Sequence, residues 1–244
     1  MSLLPIIQDD EATDEQTVIF DHSKQMFGRV ANAVRVGSAT PKIMQSLFSF
    51  IVGGMREEIS NVLDKRTKCL VILKTSTLNG CAYWTSHNET LGRALGFTND
   101  IIEAISGDYQ NSDHFSDAEK AAMKWAEVMT EKQYQGGPGK KPQHRVAFAE
   151  LEKHYSGEQI VEIALTSGFF NFWNRFTDSF EIDIEDNPVM SLFKKSTTID
   201  PKDYAAYMQS CWWNDKEGAW GVTSRLYRAA LLRIIKHPVL MMRK

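Results

Sequence analysis

Apolar residues recur at helical spacing along most of the chain, and period-two alternation never runs long enough to predict a sheet. Thr40 caps a helix that opens on Pro41, and Ile43, Leu47, Phe50 and Ile51 follow along one side. Asp64 caps a second helix, Lys65–Leu78, which the Asn79-Gly80 turn ends. A third runs from Cys81 to Leu95, closed by Gly96 where a left-handed backbone costs least. Thr98 caps Asn99–Ile105. Ser116-Asp117-Ala118-Glu119 and Ser156-Gly157-Glu158-Gln159 open two more helices, the second extending through Asp178. In each, the Ser oxygen and the Glu or Gln side chain satisfy each other's free backbone N–H groups. The predicted fold class is all-α.

Three segments punctuate this pattern. Gln135–Pro142, rich in glycine and proline, predicts a surface loop, and Asp186–Thr198 a connector. Asp200-Pro201 then caps another helix, and Trp220–Arg243 predicts a final basic amphipathic one. Its apolar side suits packing on its own domain or on a neighbouring subunit, with cations favourable near a helix C-terminus. The expected organisation is a helical domain over 1–185 and a C-terminal helical extension over 186–244.

Composition narrows the function classes. A chain of 244 residues can bury a substantial core, and a net charge of −3 leaves no electrostatic footprint for nucleic acid. The longest apolar runs, such as Leu231-Leu232, are too short for a bilayer, so no membrane association is expected. Met1–Asp14 is acidic and polar rather than an export signal, and three widely spaced cysteines make no disulfide framework. The expected setting is the cytoplasm. Six scattered histidines offer no metal-ligand spacing, and no metal or cofactor is expected.

The chemistry concentrates in residues 69–96, CLVILKTSTLNGCAYWTSHNETLGRALG. This helix–turn–helix resembles the signature of the alkylhydroperoxidase D-like and carboxymuconolactone decarboxylase family. Phe27-Gly28-Arg29 resembles the family's entry segment, and Tyr155–Glu185 the second half of its peroxidase-related branch. Redox members carry a Glu twelve residues before a C-x-x-C and a His four residues after it. Here Cys81 stands at the first cysteine, Cys69 at the Glu, Trp84 at the second cysteine and Asn88 at the His, with His87 one residue early. The resemblance implies an all-helical fold, assembly as a homo-oligomer (trimer or hexamer), and a small-molecule site on the hairpin.

Trp84 cannot resolve a sulfenic acid. Cys69 lies seven residues out of register with Cys81 when the hairpin folds, about 10 Å along the helices, too far for a disulfide. Two separate thiols are therefore expected. Cys81 at a helix N-terminus predicts a lowered pKa and a one-cysteine peroxidase using an external thiol; the alternative is a small buried cysteine. His87 is the group able to exchange a proton near pH 7, so His87 and Cys81 are the catalytic candidates. Cys69, Trp84 and Asn88 are candidate substrate-binding residues beside them. Arg175 is placed either on a substrate carboxylate or in an ion pair with Asp178. The leading expectation is a cofactor-independent lyase of the decarboxylase kind, acting on a small unsaturated or aromatic carboxylic acid or lactone. A Cys81-dependent peroxidase and a non-catalytic binding or assembly protein are the alternatives.

Overall fold

A computed structural model describes residues 1–136, 142–185 and 200–210. The centre of the predicted loop, the 186–198 connector and the basic C-terminal helix lie outside these residues. The chain divides into two compact units, Met1–Pro201 and Lys202–Lys244. Of the second, the structure describes 202–210, within the helix Pro201–Ser210 that Asp200-Pro201 predicts.

Met1–Pro201 holds α1 (Asp14–Phe27), α2 (Asn32–Gly37), α3 (Pro41–Met55), α4 (Glu57–Ser60), α5 (Lys65–Leu78) and α6 (Ala82–Ala94). It continues with α7 (Asn99–Ser106), α8 (Asp117–Thr130), α9 (His144–Leu151) and α10 (Gly157–Ser179). There is no strand among the described residues, and the fold is all-α. No described helix is long and apolar enough to cross a membrane.

The caps act as the sequence predicts: Ser116 and Ser156 form complete boxes with Glu119 and Gln159, and Asp64 Oδ1 accepts the Thr67 N–H at 2.8 Å. Thr40 differs, because its side chain makes no capping bond and Pro41 alone sets the start of α3. A third box, Thr13 with Gln16, opens α1.

At the centre lies α5, in contact with α6, α8 and α10. Every residue from Thr67 to Ser76 is buried, so the helix has no solvent face and its polar members must be paired internally. Lys68 Nζ meets Glu162 Oε1 at 2.7 Å and donates to Ser60 Oγ at 3.0 Å. Lys74 Nζ donates to the Ile105 carbonyl at 3.1 Å and sits over the Tyr109 ring. Toward α10, the Thr75 and Ser167 hydroxyls lie 3.0 Å apart. The neighbouring α6 is thereby anchored against a fully desolvated partner, which makes the hairpin a rigid platform for side chains.

Candidate active site

On α6, Trp84, His87, Asn88 and Leu91 fall at helical spacing on one side and face α1, α2, α3 and α10. They line a pocket with Phe27, Arg29, Phe48, Ile51, Met55, Arg56 and Phe170 among its other walls. It encloses about 720 Å³ of empty space, including its open mouth. Most of the lining is apolar, so the few polar groups in it carry its chemistry.

His87 is the centre of those groups. Gly28 ends α1 with φ 74, a left-handed turn that suits glycine and releases the chain so that Arg29 enters the pocket wall. The Arg29 Nη2 donates a short hydrogen bond to His87 Nδ1. Because a guanidinium can only donate, Nδ1 is the unprotonated nitrogen and Nε2 carries the ring proton. Nε2 lies 2.7 Å from Glu185 Oε2, off the axis of its N–H, so the two atoms become an ion pair only when the ring is protonated.

Glu185 is itself fastened. Its Oε1 accepts the Tyr83 hydroxyl at 2.8 Å and the Asn32 N–H at the start of α2. The Tyr83 oxygen in turn accepts the Ala33 N–H at 3.1 Å. No side chain of its own caps α2; Glu185 and Tyr83 take its leading N–H groups instead, with the carboxylate at the positive end of the helix.

The electrostatics follow from this packing. Burial alone raises the Glu185 carboxyl, but His87, the Asn32 N–H and the Tyr83 hydroxyl outweigh it and hold its pKa to about 2. Burial lowers the His87 pKa; Glu185 opposes that and Arg29 adds to it, so the imidazole is neutral near pH 7. Burial also lowers the Arg29 pKa, against the pull of Glu185.

The structure distributes the predicted site residues unevenly. Trp84, His87 and Asn88 line the pocket together. Trp84 stacks on Trp173 with centroids 5.8 Å apart and presents its edge to Phe170. The Asn88 amide donates to the Trp84 carbonyl at 2.8 Å. Cys69 and Cys81 are buried behind this wall and do not line it; both are free thiols. Cys69 Sγ donates to the Asn88 carbonyl at 3.7 Å, and burial pushes its pKa to about 12.

Cys81 corrects the expectation of an activated thiolate. It caps α6, but burial dominates the helix N-terminus and the thiol rises to about 11 beside Thr177. Arg175 is corrected too: it is exposed on α10, away from the pocket lining, and donates to the Asn171 carbonyl at 2.5 Å and side-chain oxygen at 2.9 Å. It makes no ion pair with Asp178 among the described residues; the carbonyl one turn back is the nearer acceptor.

Arg29, Arg56, Tyr83 and Glu185 were not among the predicted site residues. Arg29 and Glu185 lie in segments that carry the family resemblance, and a polar residue there was the signal available. Their pairing spans the fold and leaves no local spacing to read.

An apolar pocket on a buried helical hairpin, with an imidazole between a guanidinium and a carboxylate, defines the class as an all-helical protein with one candidate pocket of this kind among the described residues. The hairpin and its flanking helices are similar to the carboxymuconolactone decarboxylase family, and the fold is that of alkylhydroperoxidase D-like proteins. Residues 41–128 match the model of the carboxymuconolactone decarboxylase family. YdfG, an uncharacterised protein of Bacillus subtilis, is 29% identical over 115 residues, which are 47% of this chain and 74% of YdfG. A protein of unknown function from Agrobacterium tumefaciens, described with the antioxidant defence protein AhpD, superposes with TM-score 0.53 at 25% identity. That match covers 62% of this chain and 96% of the other. The debrominase Bmp8 superposes with TM-score 0.62 over 81% of this chain and 99% of its own; at 19% identity the likeness is one of fold.

Proposed function

We propose that the chain is a lyase of the decarboxylase kind, acting without a cofactor on a small unsaturated or aromatic carboxylic acid or lactone. The observation that carries this reading is the setting of His87, a neutral imidazole on the wall of an apolar pocket with Arg29 on Nδ1 and Glu185 behind Nε2. A substrate oxygen that draws the Arg29 guanidinium to itself uncovers the Nδ1 lone pair. When Nδ1 then takes a proton from water, the hydroxide passes to bulk solvent and the imidazolium forms against the ionised Glu185, which stabilises it. The bond to the departing carboxyl carbon breaks, its electron pair moves into the unsaturated system, and CO2 leaves. His87 delivers its proton to the carbon left behind.

Flat aromatic walls from Trp84, Phe170, Phe27 and Phe48 suit a small planar body. Bmp8 has been solved, as a cysteine-to-alanine variant, with 2,3,4-tribromopyrrole, a ligand of that shape. The peroxidase reading lacks comparable support, because Cys81 is fully buried with its thiol pushed to about 11. We also propose a homo-oligomer, trimer or hexamer, supported by the exposed apolar residues Val161, Leu165 and Phe172 on one side of α10.

The test is CO2 release from a panel of small unsaturated and aromatic carboxylic acids and lactones. Release should fall roughly 10²–10⁴-fold in His87→Gln, which keeps hydrogen bonding and removes proton transfer. Release unchanged in that variant, or absent from the wild type across the panel, ends the reading.

A further inference from the structure

Arg56 occupies the single extended residue between α3 and α4, at φ −108 and ψ 119, and turns its side chain into the pocket wall. It is only 8% exposed. Its guanidinium carbon lies 4.9 Å from the centroid of the Phe27 ring, and its Nε has no hydrogen-bond partner among the described residues. Glu58 lends it charge from a distance, but neither Glu58 carboxylate oxygen is hydrogen-bonded, and Oε1 lies 3.6 Å from Lys65 Nζ instead. Burial lowers the Arg56 pKa to about 10, so it is a cation at neutral pH.

The pocket therefore holds one positive charge too many. Arg29 is matched by Glu185, and His87 is neutral. Arg56 is left with an unsatisfied donor in an apolar wall, an arrangement that costs stability unless something else completes it. We infer that Arg56 anchors the carboxylate of a monoanionic ligand whose apolar body lies among Phe27, Phe48, Met55 and Trp84. A guanidinium fork fits a carboxylate with two parallel hydrogen bonds. A phosphate is a poorer fit, because its second charge and third oxygen would have to be desolvated in a mostly apolar pocket. The inference rests on the reading of this pocket as the substrate site, and it assigns to Arg56 the carboxylate recognition first expected of Arg175.

Calorimetric titration with sodium benzoate, sodium cinnamate and neutral benzamide tests it. At least one acid should bind the wild type at millimolar concentration or below, and benzamide should not. Arg56→Gln should weaken that binding roughly 10–100-fold, the loss of charge-assisted hydrogen bonds. Arg56→Lys should fall between. The melting temperature of ligand-free Arg56→Gln should be no lower than that of the wild type, since the change removes an unsatisfied buried charge. Binding unchanged in Arg56→Gln, equal binding of benzamide, no binding of either acid, or a large loss of stability on removing Arg56 overturns the inference. Acid binding that needs Arg56 without any CO2 release leaves this inference standing and removes the lyase reading. His87-dependent release with Arg56-independent binding does the reverse.

Discussion

Glu185 accepts the Tyr83 hydroxyl at 2.8 Å across 102 residues of chain, tying the segment after α10 to the first turn of α6. The same carboxylate reaches His87 through its other oxygen and α2 through the Asn32 N–H. One side chain thus lies against the imidazole, takes a leading N–H of α2 and holds the hydroxyl of Tyr83. Removing its charge should disturb stability and acid–base chemistry together.

The first prediction is an acid-side loss of stability. Both Glu185 and His87 have folded pKa values below their ordinary ones, so each adds stability above its ordinary pKa and loses it as the pH falls. His87 begins to withdraw its share below about 6.5, and Glu185 between about 4.5 and about 2. Glu185's share at neutral pH is on the order of 3 kcal/mol. Urea denaturation should show stability falling from pH 7 downward, with the lower part of that slope flattened in Glu185→Gln. A wild type equally stable at pH 3 and pH 7 contradicts this.

The second concerns Arg29. Its charge helps hold the His87 pKa down, so Arg29→Gln should move that pKa up. The His87 imidazolium is the proton donor, so activity falls as the pH rises through its pKa, and this basic limb of kcat/KM should shift to higher pH in the variant. A basic limb that stays in place would detach Arg29, or His87 itself, from the chemistry.

The helices were legible because their start signals are local. Ser116, Ser156, Asp64 and Thr98 each bond within three residues, so adjacent sequence carries the whole interaction. The Thr13–Gln16 box is equally local, but α1 has a weak apolar stripe and did not stand out as a helix. On α6, Trp84, His87 and Asn88 were legible as neighbours through helical spacing. Glu185 and Arg56 were not, because what makes them notable is a partner far along the chain in one case and an unfilled donor in the other. Cys81 shows the opposite failure. Its position at a helix N-terminus is legible in the sequence, and desolvation, invisible there, reverses the consequence.

The third prediction addresses the core. Lys68, 1% exposed, and Glu162 form a buried pair at 2.7 Å between α5 and α10. Glu162→Gln leaves the ammonium without its counter-charge and should cost about 3–5 kcal/mol in chemical denaturation. The double change Lys68→Met, Glu162→Leu should recover most of that loss, because no charge then remains to be desolvated. A double variant less stable than Glu162→Gln would show that the pair is needed for more than mutual neutralisation.

The fourth is low thiol reactivity. Burial holds Cys69 near 12 and Cys81 near 11, so little thiolate exists at neutral pH and neither sulfur is open to reagent. Peptide mapping after iodoacetamide treatment of native protein should find both unmodified, and hydroperoxide turnover with dithiothreitol should be weak. Robust turnover that vanishes in Cys81→Ser would overturn the ranking of lyase above peroxidase.

The last concerns assembly. On α10, Val161, Leu165 and Phe172 are 57%, 52% and 46% exposed, although the opposite side of the helix carries the buried Ile163, Phe170 and Trp173. Their spacing of four and seven residues keeps them on one side, so they form a line of apolar surface rather than scattered exposures. Covering such a line with its symmetry mates would remove it from water, and a glutamate in its middle would place an unpaired charge in the interface. Sedimentation at micromolar concentration should give a trimer or hexamer for the wild type and smaller species for Leu165→Glu, with helical content unchanged. A monomeric wild type contradicts the assembly outright. An oligomer indifferent to Leu165→Glu would move the interface elsewhere and leave this face of α10 without a partner.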